Sequence, residues 1–276
     1  MARATLQVSS QTFPPEELLA GLEWARRRGV GGVELGPAST RQLHGSAETR
    51  GSVAQLLKSA GFRHWSLHAA SEVEGLGPDC ELAREIGAGL IVVHCPHEKL
   101  LGAFDEQVRA LRQWDDWCRQ RGLILTVENA SIQPLSPFVG LFQAVPELRL
   151  TLDIKHAYKP ERLGLTHADY LAPLGGRLAN LHVSGIDRAR DFLGDGVPPG
   201  HDAVDWDELA AELLRRRYAG LITAEVCLPE GLSAAELERA YGELAAPAAG
   251  ARTLGQRLAR HSLDFFGRKF AAVLGV

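Results

Sequence analysis

Leu123-Ile124-Leu125-Thr126-Val127-Glu128-Asn129 (LILTVEN) is the stretch from which the fold is read. It is a short run rich in apolar and β-branched residues that closes on a carboxylate, bounded upstream by Gly122. Such runs are the mark of strands buried on both faces, as in a parallel sheet covered by helices. Two others have the same form: Leu90–Cys95 (LIVVHC) and Leu221–Val226 (LITAEV). Working outward, shorter runs follow at Ala4–Ser9, Gly32–Leu35, His64–His68, Leu148–Ile154 and Leu178–Val183, giving eight predicted strands with Leu90–His94, Leu123–Glu128 and Leu221–Val226.

Helical patterns fill the intervals. In 103–121, Phe104, Val108, Leu111, Trp114 and Cys118 form an amphipathic stripe stopped by Gly122. Residues 15–29 carry Leu18, Leu22 and Ala25 and stop at Gly29, and 205–217 opens with Asp205 as N-cap and Glu208 three residues on. Further helices are expected over 52–60, 79–87, 136–145, 167–174 and 233–245, with loops over Gly36–Arg50 and Asp187–Asp202. Eight strands each followed by a helix, over about 250 residues, match an α/β (β/α)8 TIM barrel. An open doubly wound sheet is the alternative, but no G-x-G-x-x-G follows the first strand. After Ala245–Gly250 (AAPAAG) comes an extra C-terminal helix, about 252–272, bearing Leu254, Leu258, Phe265, Phe266 and Phe270, which would cap the core or contact another subunit. The expectation is one domain over 1–276, with the barrel at about 4–245.

Composition narrows the class. At 276 residues, 45% hydrophobic and 23% charged, the chain is of globular type. Its formal net charge of −4 argues against a nucleic-acid partner. No apolar run is long enough for a membrane span or signal peptide, and the four cysteines include no C-x-x-C, so a cytoplasmic protein is expected.

The strand ends carry the chemistry. Six successive strands finish on His68, His94, Glu128, Asp153, His182 and Glu225, with His156 three residues beyond Asp153. A barrel brings these ends to one mouth, where such folds keep their active sites. Glu128 and Glu225 directly follow apolar residues, where an unpaired carboxylate is costly, and a metal ion or cationic partner compensates. Glu128, Asp153, His182 and Glu225 together make an oxygen-rich ligand set that suits one Mn²⁺, Mg²⁺ or Co²⁺ and leaves Zn²⁺ possible.

These residues resemble the xylose isomerase-like TIM barrels, a superfamily of sugar isomerases and epimerases, dehydratases, hydroxypyruvate isomerases and endonuclease IV-type enzymes. The resemblance covers roughly 4–245. It rests on Val127-Glu128-Asn129, the L-D-x-x-H-A of Leu152–Ala157, Leu181-His182-Val183, the G-H-D-A-V-D-W of Gly200–Trp206, and Ala224-Glu225-Val226. It implies that Glu128, Asp153, His182 and Glu225 hold one divalent metal, that Glu128 and Glu225 are the catalytic acid/base pair acting through a metal-stabilised enediolate, and that His156 and Arg188 contact substrate. His68 and His94 would line the pocket. The implied activity is isomerisation or epimerisation of a small sugar, keto-polyol or related hydroxy-carbonyl compound. Dehydration of a keto-polyol uses the same parts. Zinc-dependent cleavage of abasic DNA is disfavoured, because GDGVPPGHDAVDW lacks the D-x-H pair of that class. A small-molecule substrate, no membrane association, and a homodimer or homotetramer complete the expectations.

Overall fold

The computed structural model describes residues 3–59, 61–70, 76–96, 102–129, 134–158, 164–186, 198–200, 204–227, 235, 238–239 and 253–276. Eight parallel strands close in sequence order: β1 (Thr5–Ser9), β2 (Gly32–Leu35), β3 (His64–His68), β4 (Leu90–His94), β5 (Ile124–Glu128), β6 (Arg149–Asp153), β7 (Leu178–Val183) and β8 (Leu221–Ala224), with β8 pairing back onto β1. This is the expected (β/α)8 barrel, and the predicted strands hold to within two residues.

The strands alternate more sharply than their apolar runs suggest. In β5, Leu125 and Val127 join the main core with Leu111 and Leu141, while Thr126 bonds to Thr151 of β6 across the barrel interior (2.7 Å). A period of two puts apolar residues against the helices and polar ones inside. A separate small cluster of Leu90, Val92 and Leu221, with Ala179 against it, forms the apolar part of the interior. Nearer the mouth the interior is a closed hydrogen-bonded ring. Gln7 Nε2 donates to Ser66 Oγ (3.1 Å) and Thr223 Oγ1 (2.6 Å), and Ser66 donates to Glu34 (3.0 Å). Asn180 donates to Glu34 (3.1 Å), and Thr223 donates to Asn180 Oδ1 (2.9 Å), which completes the circuit.

The outer ring is α1 (Leu18–Arg27), α2 (Pro37–Gly45), α3 (Ala47–Ser59), α4 (Leu76–Ile86), α5 (Phe104–Gln120), α6 (Leu135–Ala144), the short α7 (Ile154–Ala157), α8 (His167–Leu174), α9 (Trp206–Arg215), α10 (Leu254–Lys269) and α11 (Ala271–Leu274). The stripe of α5 is buried from Val108 to Cys118, whereas its first member Phe104 is exposed. Asp205 caps α9 as expected, accepting from Glu208 N at 2.8 Å. Two expectations change. The Gly36–Arg50 segment is not a loop: it holds α2, started by Pro37 at its first position, where the ring's fixed φ suits a helix, and the first residues of α3, which begins at Ala47 rather than 52. The C-terminal helix ends at Lys269, and a second short turn, α11, follows Phe270. Its Phe266 and Phe270 are buried against Trp206 of α9 (ring centroids 4.9 and 6.4 Å), a core-capping role. The helix expected over 233–245 and the AAPAAG segment lie largely outside the described residues. Among the described residues, no helix is long and apolar enough to cross a membrane.

Candidate active site

Register brings the strand-end residues level. His94 pairs with Glu128 across β4 and β5. Between β6 and β7 the register runs Leu150 to Leu178 and then Thr151 to Asn180, skipping Ala179. That one-residue bulge sets Asp153 opposite His182; an unbroken register would place Leu181 there. Glu225 follows β8 directly, held by its N–H to Val183 O at 2.9 Å. Asp153 has two duties. Its Oδ1 caps α7, accepting from Lys155 N (2.8 Å) and His156 N (3.4 Å), while Oδ2 is buried and faces the Lys155 ammonium.

Glu128, Asp153, His182 and Glu225 are all buried and each offers a ligand atom within 4.8 Å of the others. His182 Nδ1 lies 3.5 Å from Glu128 Oε1 and 3.3 Å from Glu225 Oε2. Three buried carboxylates and one imidazole converging within this span make a donor set that fits a hard divalent cation. His68, His94 and Glu128 make a second group within the same span, sharing Glu128. His68 Nε2 is 2.9 Å and His94 Nε2 3.6 Å from Glu128 Oε2, and their rings meet edge-on at 4.8 Å. His156 Nε2 stands 3.8 Å from Glu128 Oε1 and 3.7 Å from Asp153 Oδ2. Seven of the eight predicted site residues therefore converge, and Arg188 lies outside the described residues.

Burial and charge pull against each other here. Burial alone would raise Glu128, but the positive charge and hydrogen bond of His182, aided by His68 and His94, hold it well below the usual carboxylate range. Glu225 is lowered the same way by Lys155 and His182 against the cost of burial. Asp153 goes well above its ordinary value, because burial and then the neighbouring Glu128 and Glu225 outweigh Lys155. His182, despite burial, is raised well above its ordinary value by Glu34, Glu225 and Glu128.

Several members of the site are absent from the sequence-based set. Glu34, at the C-terminal end of β2, reaches His182 Nε2 at 3.1 Å. Asn180 Nδ2 lies 2.9 Å from the same nitrogen and directs a hydrogen to Glu34. Lys155 Nζ lies 2.9 Å from Glu225 Oε2 and 3.1 Å from Asp153 Oδ2. Gln11 donates to Glu225 Oε1 at 2.7 Å. Asn129 clamps the backbone of Asp153 at both N–H (2.6 Å) and C=O (3.0 Å). The strand-end rule that found the others applies equally to Glu34 in Gly32–Leu35. Lys155 sits inside the L-D-x-x-H-A motif, but only the cap at Asp153 turns it inward. Gln11 carries no periodic signal.

The xylose isomerase-like TIM barrel family model matches residues 22–246. An IolI protein with a bound zinc atom superposes with a TM-score of 0.74 at 15% identity, covering 99% of this chain and 100% of that one. A D-allulose 3-epimerase from Methylomonas sp. gives 0.67 at 17% identity, covering 98% and 99%. The probable 3-DHS dehydratase AsbF from Bacillus anthracis, involved in petrobactin synthesis, gives 0.63 at 18% identity, covering 87% and 98%. At such identities these likenesses establish the fold. No curated protein matches the chain by sequence.

Proposed function

Because the chain belongs to the xylose isomerase-like TIM barrel family, we propose that it is a divalent-metal-dependent isomerase or epimerase of a small hydroxy-carbonyl compound, a sugar or keto-polyol. One observation carries this: Glu128 and Glu225 flank His182 Nδ1 from different strands, at 3.5 and 3.3 Å, so a substrate seated at this ligand set meets a carboxylate on each side. Glu128, Asp153, His182 and Glu225 would hold the cation, Mn²⁺, Mg²⁺, Co²⁺ or Zn²⁺, whose Lewis acidity would lower the pKa of the C–H beside the substrate carbonyl. One glutamate removes that proton and the other returns it to the opposite face or the neighbouring carbon. The two are not equivalent. Glu128 sits among His68, His94, His156 and His182, and His94 is partly exposed, a route for its proton to exchange with solvent. Glu225 is held by Gln11 and Lys155 instead. His156 orients substrate hydroxyls, His68 and His94 line the pocket, and Arg188 keeps its proposed contact with substrate.

Dehydration is the second reading, since the AsbF likeness includes a probable dehydratase and the same glutamate pair would serve. A ketose and keto-polyol panel in D₂O with Mn²⁺ separates the two. Deuterium appearing beside the carbonyl of an isomeric product marks isomerisation, and loss of water marks the lyase. Glu128→Gln and Glu225→Gln should each cut turnover by roughly 10²–10⁴-fold with an unchanged circular dichroism spectrum. Wild-type turnover in either variant would refute the assignment.

A further inference from the structure

The proton-transfer reading leaves Lys155 unused. Its side chain is 9% exposed, and its ammonium sits against Glu225 Oε2 (2.9 Å) and Asp153 Oδ2 (3.1 Å), with Cys227 Sγ at 3.7 Å. Those carboxylates are two of the four proposed metal ligands. A divalent cation and an ammonium repel strongly at such range in a buried setting, so both cannot rest against the same two oxygens. When the cation takes them, Lys155 must turn elsewhere.

The surroundings restrict where it turns. Its backbone is pinned by the bond from Lys155 N to Asp153 Oδ1. Below the ligand set, the ring of Gln7, Ser66, Glu34, Asn180 and Thr223 fills the barrel interior with groups already bonded to one another. Among the described residues the mouth remains, where substrate binds. A largely buried ammonium there requires an anionic partner.

We infer that the substrate is anionic, a 2-oxo or 2-hydroxy carboxylate whose carboxylate group is bound by Lys155. The carboxylate must adjoin the carbonyl or hydroxyl carbon, because the backbone of Lys155 is pinned beside Asp153 and its side chain cannot carry the ammonium far from the ligand set. This inference rests on the metal-dependent reading above and names its substrate class.

The test uses the full chain and two isosteric probes that differ in charge, glycolate and glycolamide. Mn²⁺ is titrated first, by water-proton relaxation, into wild type and Lys155→Met. Each should bind Mn²⁺, the variant more tightly, having lost the competing ammonium. Failure of wild type to bind Mn²⁺ would overturn the metal-dependent reading before either probe is added. The loaded proteins are then titrated with both probes. Wild type should prefer glycolate, and Lys155→Met should lose at least tenfold of that preference while glycolamide affinity holds; Lys155→Arg should keep most of it. An equal preference in wild type and Lys155→Met, or equal loss of both probes, would overturn the inference. Lys155→Gln gives the same comparison should the methionine variant not fold.

Discussion

Glu34 lies outside the proposed ligand set but touches one of its members. It approaches Nε2 of His182 at 3.1 Å and is itself held by Ser66 and Asn180. An acceptor on that nitrogen keeps a proton there and leaves Nδ1 to face Glu128 and Glu225. Carboxylates behind a ligating histidine typically contribute 10–100-fold to metal affinity. Glu34→Gln is therefore expected to weaken divalent-metal binding by about that factor, measured by competition with a chelator, while the melting temperature changes little. Unchanged affinity would show that the ring orients His182 without Glu34. The residue was legible in principle, since it ends a strand like the other candidates. Lys155 was less so, because its place depends on a cap geometry and not on a spacing.

Among the elements, the turn after β6 links the site to stability. Asp153 starts α7, and α7 leads to Tyr158, whose hydroxyl meets His167 Nδ1 of α8 at 2.7 Å. Thr166 and Asp169 form a capping box that fixes the start of α8. Burial pushes His167 below its ordinary value, and burial pushes Tyr158 up to about 12, so a neutral phenol and a neutral imidazole share this hydrogen bond. The unfolded chain takes up this proton near the usual histidine value of about 6.5, before the folded protein does. Stability should thus fall as pH drops below about 6.5, level off once the folded histidine also protonates, and not depend on this group above that range. His167→Gln should flatten that part of the melting-temperature profile between about pH 5 and 7 relative to wild type; parallel profiles would rule the histidine out. Elements with a strong period, such as α5 and the eight strands, could be read directly from the chain. The α2 segment Pro37–Gly45 could not, because PASTRQLHG buries only Ser39, Thr40 and Leu43 and has no continuous apolar stripe. The bulge at Ala179 was equally hidden: it is a property of two paired strands, yet it sets Asp153 beside His182.

The molecule is a barrel whose interior is polar toward the mouth, with a small apolar cluster beside it, and whose main core lies between strands and helices. The C-terminal segment belongs to that shell. Phe266 is fully buried, with Trp206, Phe265 and Phe270 around it at 4.9–6.0 Å between ring centroids. Phe266→Ala should destabilise the fold by about 3–5 kcal/mol in urea unfolding; a loss below about 1 kcal/mol would mean that α10 is an appendage and not part of the core. The central claim is that Glu128, Asp153, His182 and Glu225 form one cation site at the mouth of this barrel. The most direct test is the divalent-metal content per chain of wild type and Asp153→Asn, purified without chelator and dialysed against limiting Mn²⁺. The account predicts about one ion per wild-type chain and a large loss in the variant, with both proteins folded. Equal metal content in the two, or none in wild type, would contradict it.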